Sequence, residues 1–267
     1  YEVRFGESSL KVTVSLDEDS SQLNYAVECD WLEVGKAQES ILQLSFHLPL
    51  GYECDRYLYD IPFGLIERKG IDLDVPANSW ALGLRKVNAE GKKAVMLVTD
   101  SKYGFRCVDN TINLTLIRSS FDPDPYPEIG KHRFKFAISL TDTSSKKNLI
   151  EKAFAYNHPL NVVSSSVHHG FLPASYSFIE HVKGNVVLST VKMAEENEEG
   201  KNKLIIRVYE IEGCLGEVVL EFCKNPKHAY YVDIHEKGIS SPLKIHANEN
   251  RVSFQVSPYG VATICVE

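Results

Sequence analysis

Asp72 and Asp74 are two residues apart, so an extended backbone would put both carboxyl groups on one face. Asp122 and Asp124 are spaced the same way in a loop with prolines at 123, 125 and 127, whose fixed φ holds it extended and stiff. Paired carboxyl groups serve glycoside hydrolysis, about 5 Å apart in the retaining geometry and about 6.5–9.5 Å in the inverting one. The chain has 36 acidic residues, so spacing alone selects little, and both pairs read as turn and surface residues. His168-His169 and Glu180-His181 are the nearest approach to a metal set. Adjacent histidines are poorly placed to share one ion, no HxH or HExxH spacing occurs, and zinc needs three or four converging ligands. They read as exposed loop residues, and no metal site is expected. No GxSxG elbow, GxGxxG turn or GxxxxGK[ST] loop is present, which argues against a serine hydrolase of that type and against nucleotide binding. No catalytic residue is assigned.

Rings are the second resource. Tyr25, Trp31, Tyr52, Tyr57, Tyr59, Trp80, Tyr103 and Tyr126 could each offer a face to a sugar, but rings in a β-rich chain mostly fill the core. Trp80, Tyr103 and Tyr126, near loops, are the better sugar contacts. Asn113-Leu114-Thr115 matches the glycosylation sequon inside a strand pattern and is read as chance.

The elements that must position these residues are strands. Leu42, Leu44, Phe46 and Leu48 alternate with Gln43, Ser45 and His47. Ile112, Leu114 and Leu116 alternate likewise, as do Phe134, Phe136, Ile138 and Leu140. Period two marks half-buried antiparallel strands. Turn signals stand at Glu90-Gly91, Asp109-Asn110 and Lys237-Gly238. One stretch differs: Leu149, Ile150, Ala153 and Phe154, after Ser144-Ser145 and before Pro159, have helical spacing with a cap and a stop. The pattern predicts an all-β chain: a large antiparallel sandwich over 1–160, a connection over 161–184 and a smaller sandwich over 185–267. Ala194–Lys203, charged and containing glycine, reads as a hairpin tip.

Composition sets the bounds. At 267 residues about 70–75% of the unfolded chain's surface becomes buried, so the core needs no staples. A net charge of -7 argues against nucleic acid and anionic membrane as partners. No apolar run approaches the ~18 residues of a membrane span. The six cysteines form no CxxC pair and read as free thiols, mostly buried. With no signal-peptide pattern, this predicts a cytoplasmic setting. The start at Tyr1, running at once into the alternation of Leu10, Val12, Val14 and Leu16, reads as a cut inside a longer protein.

A set of short motifs stands in a fixed order. Pro62-Phe63-Gly64 with Arg68 is followed by Val75-Pro76-Ala77 with Trp80, then Thr99-Asp100-Ser101-Lys102-Tyr103-Gly104. Ile117-Arg118-Ser119-Ser120 with Pro123-Asp124-Pro125 comes next, and last Gly130 with His132, Phe134 and Phe136. In order and spacing, residues 57–140 resemble the C-terminal β-region of the glycoside hydrolase family 38 α-mannosidases, and the flanks match in pattern only. Three departures are visible: Leu82 where the family has an aspartate, Thr99 where it has an asparagine, and Leu140-Thr141-Asp142 where it has a Pro-His ending.

The resemblance implies a mutarotase-like supersandwich followed by a smaller sandwich. It also implies the non-catalytic C-terminal part of a retaining enzyme on α-linked mannosides. Its zinc and its nucleophile would lie in an N-terminal barrel absent from this chain, which would itself carry no cofactor. Partners would be that barrel and mannosides, and family members are often oligomeric. This chain would support the barrel and line part of the sugar cleft, through Asp100, Lys102 and Tyr103 of a hairpin, with Trp80 and Tyr126. The alternatives are an autonomous carbohydrate-binding module, and a mutarotase-like or lyase-like enzyme with a His/Glu pair near His47 or His132.

Overall fold

The structure, a computed structural model, describes residues 1–86, 93–124, 126, 128–196, 203–246 and 249–267. It divides into two compact units, Tyr1–Pro159 and Leu160–Glu267.

The first unit contains β1 (Glu2–Phe5), β2 (Ser8–Leu16), β3 (Gln22–Trp31), β4 (Gln43–Pro49), β5 (Arg56–Ile61) and β6 (Gly64–Lys69). It continues with β7 (Ile71–Pro76), β8 (Trp80–Leu84), β9 (Lys93–Thr99), β10 (Gly104–Val108), β11 (Thr111–Arg118), β12 (Gly130–Asp142) and α1 (Lys146–Asn157). An eight-stranded sheet runs β1-β2-β3-β12-β9-β8-β5-β6, and a four-stranded sheet runs β4-β11-β10-β7. The predicted alternation appears as burial: Ile112, Leu114 and Leu116 are buried while Thr111, Asn113 and Thr115 are only half-buried. The core packs Tyr57, Tyr59, Leu97, Phe134 and Phe136 of the larger sheet with Phe105, Ile112 and Leu114 of the smaller.

Turn chemistry explains the local connections. Pro62 and Phe63 join β5 to β6, with Phe63 at φ +58°. Asp109 and Asn110, both at positive φ, close the two-residue β10–β11 hairpin where the sequence predicts a turn. The turn expected at Glu90-Gly91 lies outside the described residues.

Helix α1 forms as its spacing predicts. The Ser145 hydroxyl accepts the Asn148 N–H (3.3 Å), and Pro159 cannot extend the helix. Leu149, Ile150 and Ala153 are buried, while Phe154 is half exposed and stacks on His158 at 3.8 Å. The helix packs on β9 and β12. Alternation turns Trp80, Leu82, Met96, Val98 and Ala137 to the sheet face opposite the inter-sheet core, and each is at most 1% exposed.

The second unit contains β13 (Ile179–Lys183), β14 (Val186–Met193), β15 (Leu204–Glu210), β16 (Gly216–Phe222), β17 (Ala229–Val232) and β18 (Gly238–Pro242). It ends with β19 (Lys244–His246), β20 (Arg251–Val256) and β21 (Val261–Val266). One sheet runs β13-β16-β20-β19 and the other β14-β15-β21-β17-β18, enclosing Ile206, Val208, Val218, Leu220, Val252 and Ile264. Within the connection expected over 161–184, Ile179–Lys183 form β13, which pairs with β16. The Ala194–Lys203 tip is described at its edges alone, where the Ala194 N–H donates to the Lys203 carbonyl (2.9 Å).

Candidate functional site

Residues 100–103 are not a hairpin. β9 belongs to the eight-stranded sheet and β10 to the four-stranded one, so the segment is an arch carrying the chain from one sheet to the other. Alternation marks which residues of a strand face inward, but β9 and β10 would look the same paired or unpaired.

The arch is held at every residue that the motifs bring near it. The buried Thr99 hydroxyl accepts the Lys102 N–H (3.2 Å) and lies 3.4 Å from the Ser101 nitrogen. Thr99 thus organises the turn, at the position where the resemblance has an asparagine. Asp100 is clamped to β12: its N–H donates to the Lys135 carbonyl (3.1 Å), and its Oδ1 accepts the Lys135 N–H (3.1 Å) and the Ser101 hydroxyl (2.7 Å). The Tyr103 carbonyl accepts the Ala77 N–H (3.0 Å) of the Val75-Pro76-Ala77 motif. Arg68 donates to the Pro76 carbonyl (3.1 Å) and lies 4.7 Å over the Tyr59 ring. The Asp60 carboxylate accepts the Ser79 and Trp80 N–H groups at 2.9 Å and the Ser79 hydroxyl at 2.7 Å. Burial pushes the Asp60 carboxyl above its ordinary range despite these donors. Arg68, the Val75-Pro76-Ala77 motif and the arch are thus joined to one another, and the arch to β12.

Side chains differ in what they offer. Tyr103 is 60% exposed, so its ring is open to a partner. The Lys102 ammonium lies 4.6 Å over the Phe134 ring; burial holds its pKa below that of an ordinary lysine, with Glu128 and Asp100 pulling the other way. Trp80 is a correction: at 1% exposure its indole is buried and presents no face to a sugar. Tyr126 is exposed, its N–H donating to Asp124 Oδ1 (2.9 Å), but among the described residues no hydrogen bond or ring contact joins it to the arch. Pro125 and Pro127 lie outside those residues.

The other constellations resolve into structural roles. Asp72 and Asp74 do share a face, flanking Arg106 at 3.7 and 3.3 Å. His47 Nδ1 is paired with Asn113 Oδ1 (2.5 Å), and His132 Nε2 with the Glu128 carbonyl (2.7 Å), so neither histidine is partnered by a carboxylate. Ser119, in the Ile117–Ser120 motif, is buried and links the Trp31 indole N–H (2.6 Å) to the Glu33 carbonyl (2.8 Å). Leu82 is core. Among the described residues no three His, Cys, Asp or Glu side chains assemble to hold a metal, so they do not fit a zinc centre; the His181 side chain lies outside that set. The six cysteines are free.

Sequence reasoning missed a groove beside Asp100. It has a volume of about 460 Å³ and is lined by Asp100, Lys135, Thr13, Asn24 and Tyr156 among others. The available signal was the polar parity of β2, β3 and β12; the placement of Tyr156 over it depends on how α1 docks, which no local pattern records.

Two models of one family match this chain. Residues 1–126 match the glycosyl hydrolases family 38 C-terminal domain, and residues 185–264 match the glycosyl hydrolases family 38 C-terminal beta sandwich domain. Among curated relatives, an alpha-mannosidase of Saccharomyces cerevisiae is 24% identical over 96% of this chain and 25% of its own length. Alpha-mannosidase 2C1 of Homo sapiens is 26% identical over 96% of this chain and 24% of its own length. Alpha-mannosidase G of Dictyostelium discoideum is 24% identical over 78% of this chain. The chain thus spans about a quarter of the length of the first relatives it matches. Matched in order by both models, the chain belongs to glycosyl hydrolase family 38, whose C-terminal domains it carries.

Proposed function

We propose that this chain is the non-catalytic C-terminal portion of a retaining, zinc-dependent α-mannosidase acting on α-linked mannosides of glycans or oligosaccharides. The metal and the nucleophile belong to an N-terminal barrel of the same polypeptide, in a cytoplasmic and oligomeric enzyme. The chain's own work is mechanical and steric. It buttresses the barrel, and its arch forms part of the wall of the sugar cleft. The observation that carries this reading is the arch itself: a short polar crossing, fastened by backbone hydrogen bonds at Asp100, Lys102 and Tyr103, with a ring open at its tip. A wall that must hold a sugar in register needs such rigidity.

The test is kinetic, on the full-length polypeptide. Asp100→Asn, Lys102→Met and Tyr103→Ala are each expected to lower kcat/KM for an aryl α-mannoside by about 10–100-fold, the loss of one or two positioning contacts. Thermal unfolding of the Tyr103 variant should be unchanged, since that side chain is exposed. Unaltered kcat/KM in all three variants would remove the arch from the cleft.

A further inference from the structure

Helix α1 packs on the outer sheet face over β9 and β12, and it stops at Asn157. Beyond that end the groove of about 460 Å³ lies open over β2 and β3, within the roughly 300–1,000 Å³ typical of small-molecule sites. Its lining is informative in two ways. Among the described residues Lys135 and Asp100 are its charged lining, of opposite sign, which favours neither an anion nor a cation. The remaining polar groups are neutral: Thr13, Ser15, Asn24, Asn157 and the phenols of Tyr25 and Tyr156, with Ala26, Pro159 and the tyrosine rings as apolar surface. Neutral hydrogen-bonding groups beside an apolar patch match the hydroxyl edge and C–H face of a saccharide.

The groove is also preset. Asp100 Oδ1 is occupied by the Lys135 N–H and the Ser101 hydroxyl, while among the described residues Oδ2 carries no hydrogen bond. Burial raises the Tyr156 phenol's pKa, and the Asp100 charge adds to the rise, so the phenol stays a neutral donor. We propose that this groove binds one neutral saccharide unit, holding part of a glycan beside the arch. The proposal rests on the mannoside reading for its choice of sugar, and on the arch only through Asp100.

The test uses the 267-residue chain, titrated with methyl α-mannoside and an α-linked mannobiose and followed by backbone amide NMR. The expected result is saturable binding that shifts the amides of Asn24, Lys135, Tyr156 and Asn157. Tyr156→Phe, which keeps the ring, and Lys135→Gln, at an exposed position, should each weaken binding by about fivefold, the effect of one hydrogen bond. No shift at tens of millimolar sugar, or unchanged affinity in both variants, would overturn the groove. Shifts confined to Tyr103 and its neighbours would also overturn it, while leaving the arch reading intact. That reading fails separately, in the kinetics of the arch variants.

Discussion

Asp60 and Glu210 each gather several backbone N–H groups of a turn. Asp60 gathers the Ser79–Trp80 turn, which no spacing in the sequence announces. Asp60→Ala leaves these N–H groups without their acceptor, so it should cost about 2–4 kcal/mol, read as a lower thermal midpoint of the first unit. Glu210 plays the same part in the second unit. It is fully buried and accepts N–H groups of Glu212 (2.8 Å), Gly213 (2.7 Å), Cys214 (3.3 Å) and Tyr259 (2.9 Å). Burial alone would push its carboxyl up; these four donors outweigh it and hold the pKa below the ordinary 4.5. A carboxyl whose folded pKa is depressed stabilises the fold above its unfolded pKa and loses that contribution as pH falls through the folded one. The second unit should therefore weaken to urea below about pH 4.5 in the natural chain. Glu210→Gln should be weaker at neutral pH and should lack that part of the acid slope. A variant with the same acid slope as the natural chain would contradict the assignment.

At the scale of elements, the strands were legible because each buries one face, which prints period two on the sequence. The helix was legible because Ser145 and Pro159 bracket an apolar spacing of a different period. Sheet membership was not. Residues 100–103 read as a hairpin because short polar turns between strands usually are, whereas here the flanking strands pair elsewhere, β9 with β8 and β12, β10 with β7 and β11. Strand β13 was absorbed into the connection because it is five residues long. Trp80 was read from its loop-like neighbours as a surface ring, yet it lies on a face that α1 helps cover. Truncating it tests that placement: Trp80→Ala should cost about 3–5 kcal/mol by chemical denaturation, the penalty of an emptied core site, where an exposed ring would cost little.

At the scale of the molecule, two sandwiches carry the C-terminal domains of a family whose matched relatives are about four times longer. In the first unit the arch is bonded to the Val75-Pro76-Ala77 motif and to β12, and the groove adjoins it at Asp100. Ordered motifs made the parent family legible, since five of them keep one order over residues 57–140. The chemistry itself was not legible: Asp72 and Asp74 line one groove with His47 and Glu28 and Asp30 another with His132, but among the described residues no hydrogen bond joins either histidine to a carboxylate and no metal set assembles. The central claim is that this chain shapes a sugar site without performing the cleavage. Its most direct measurement is turnover of an aryl α-mannoside by the purified 267-residue chain, with and without added zinc. The account predicts no release above the buffer blank in either condition; saturable turnover that follows the chain's concentration would contradict it.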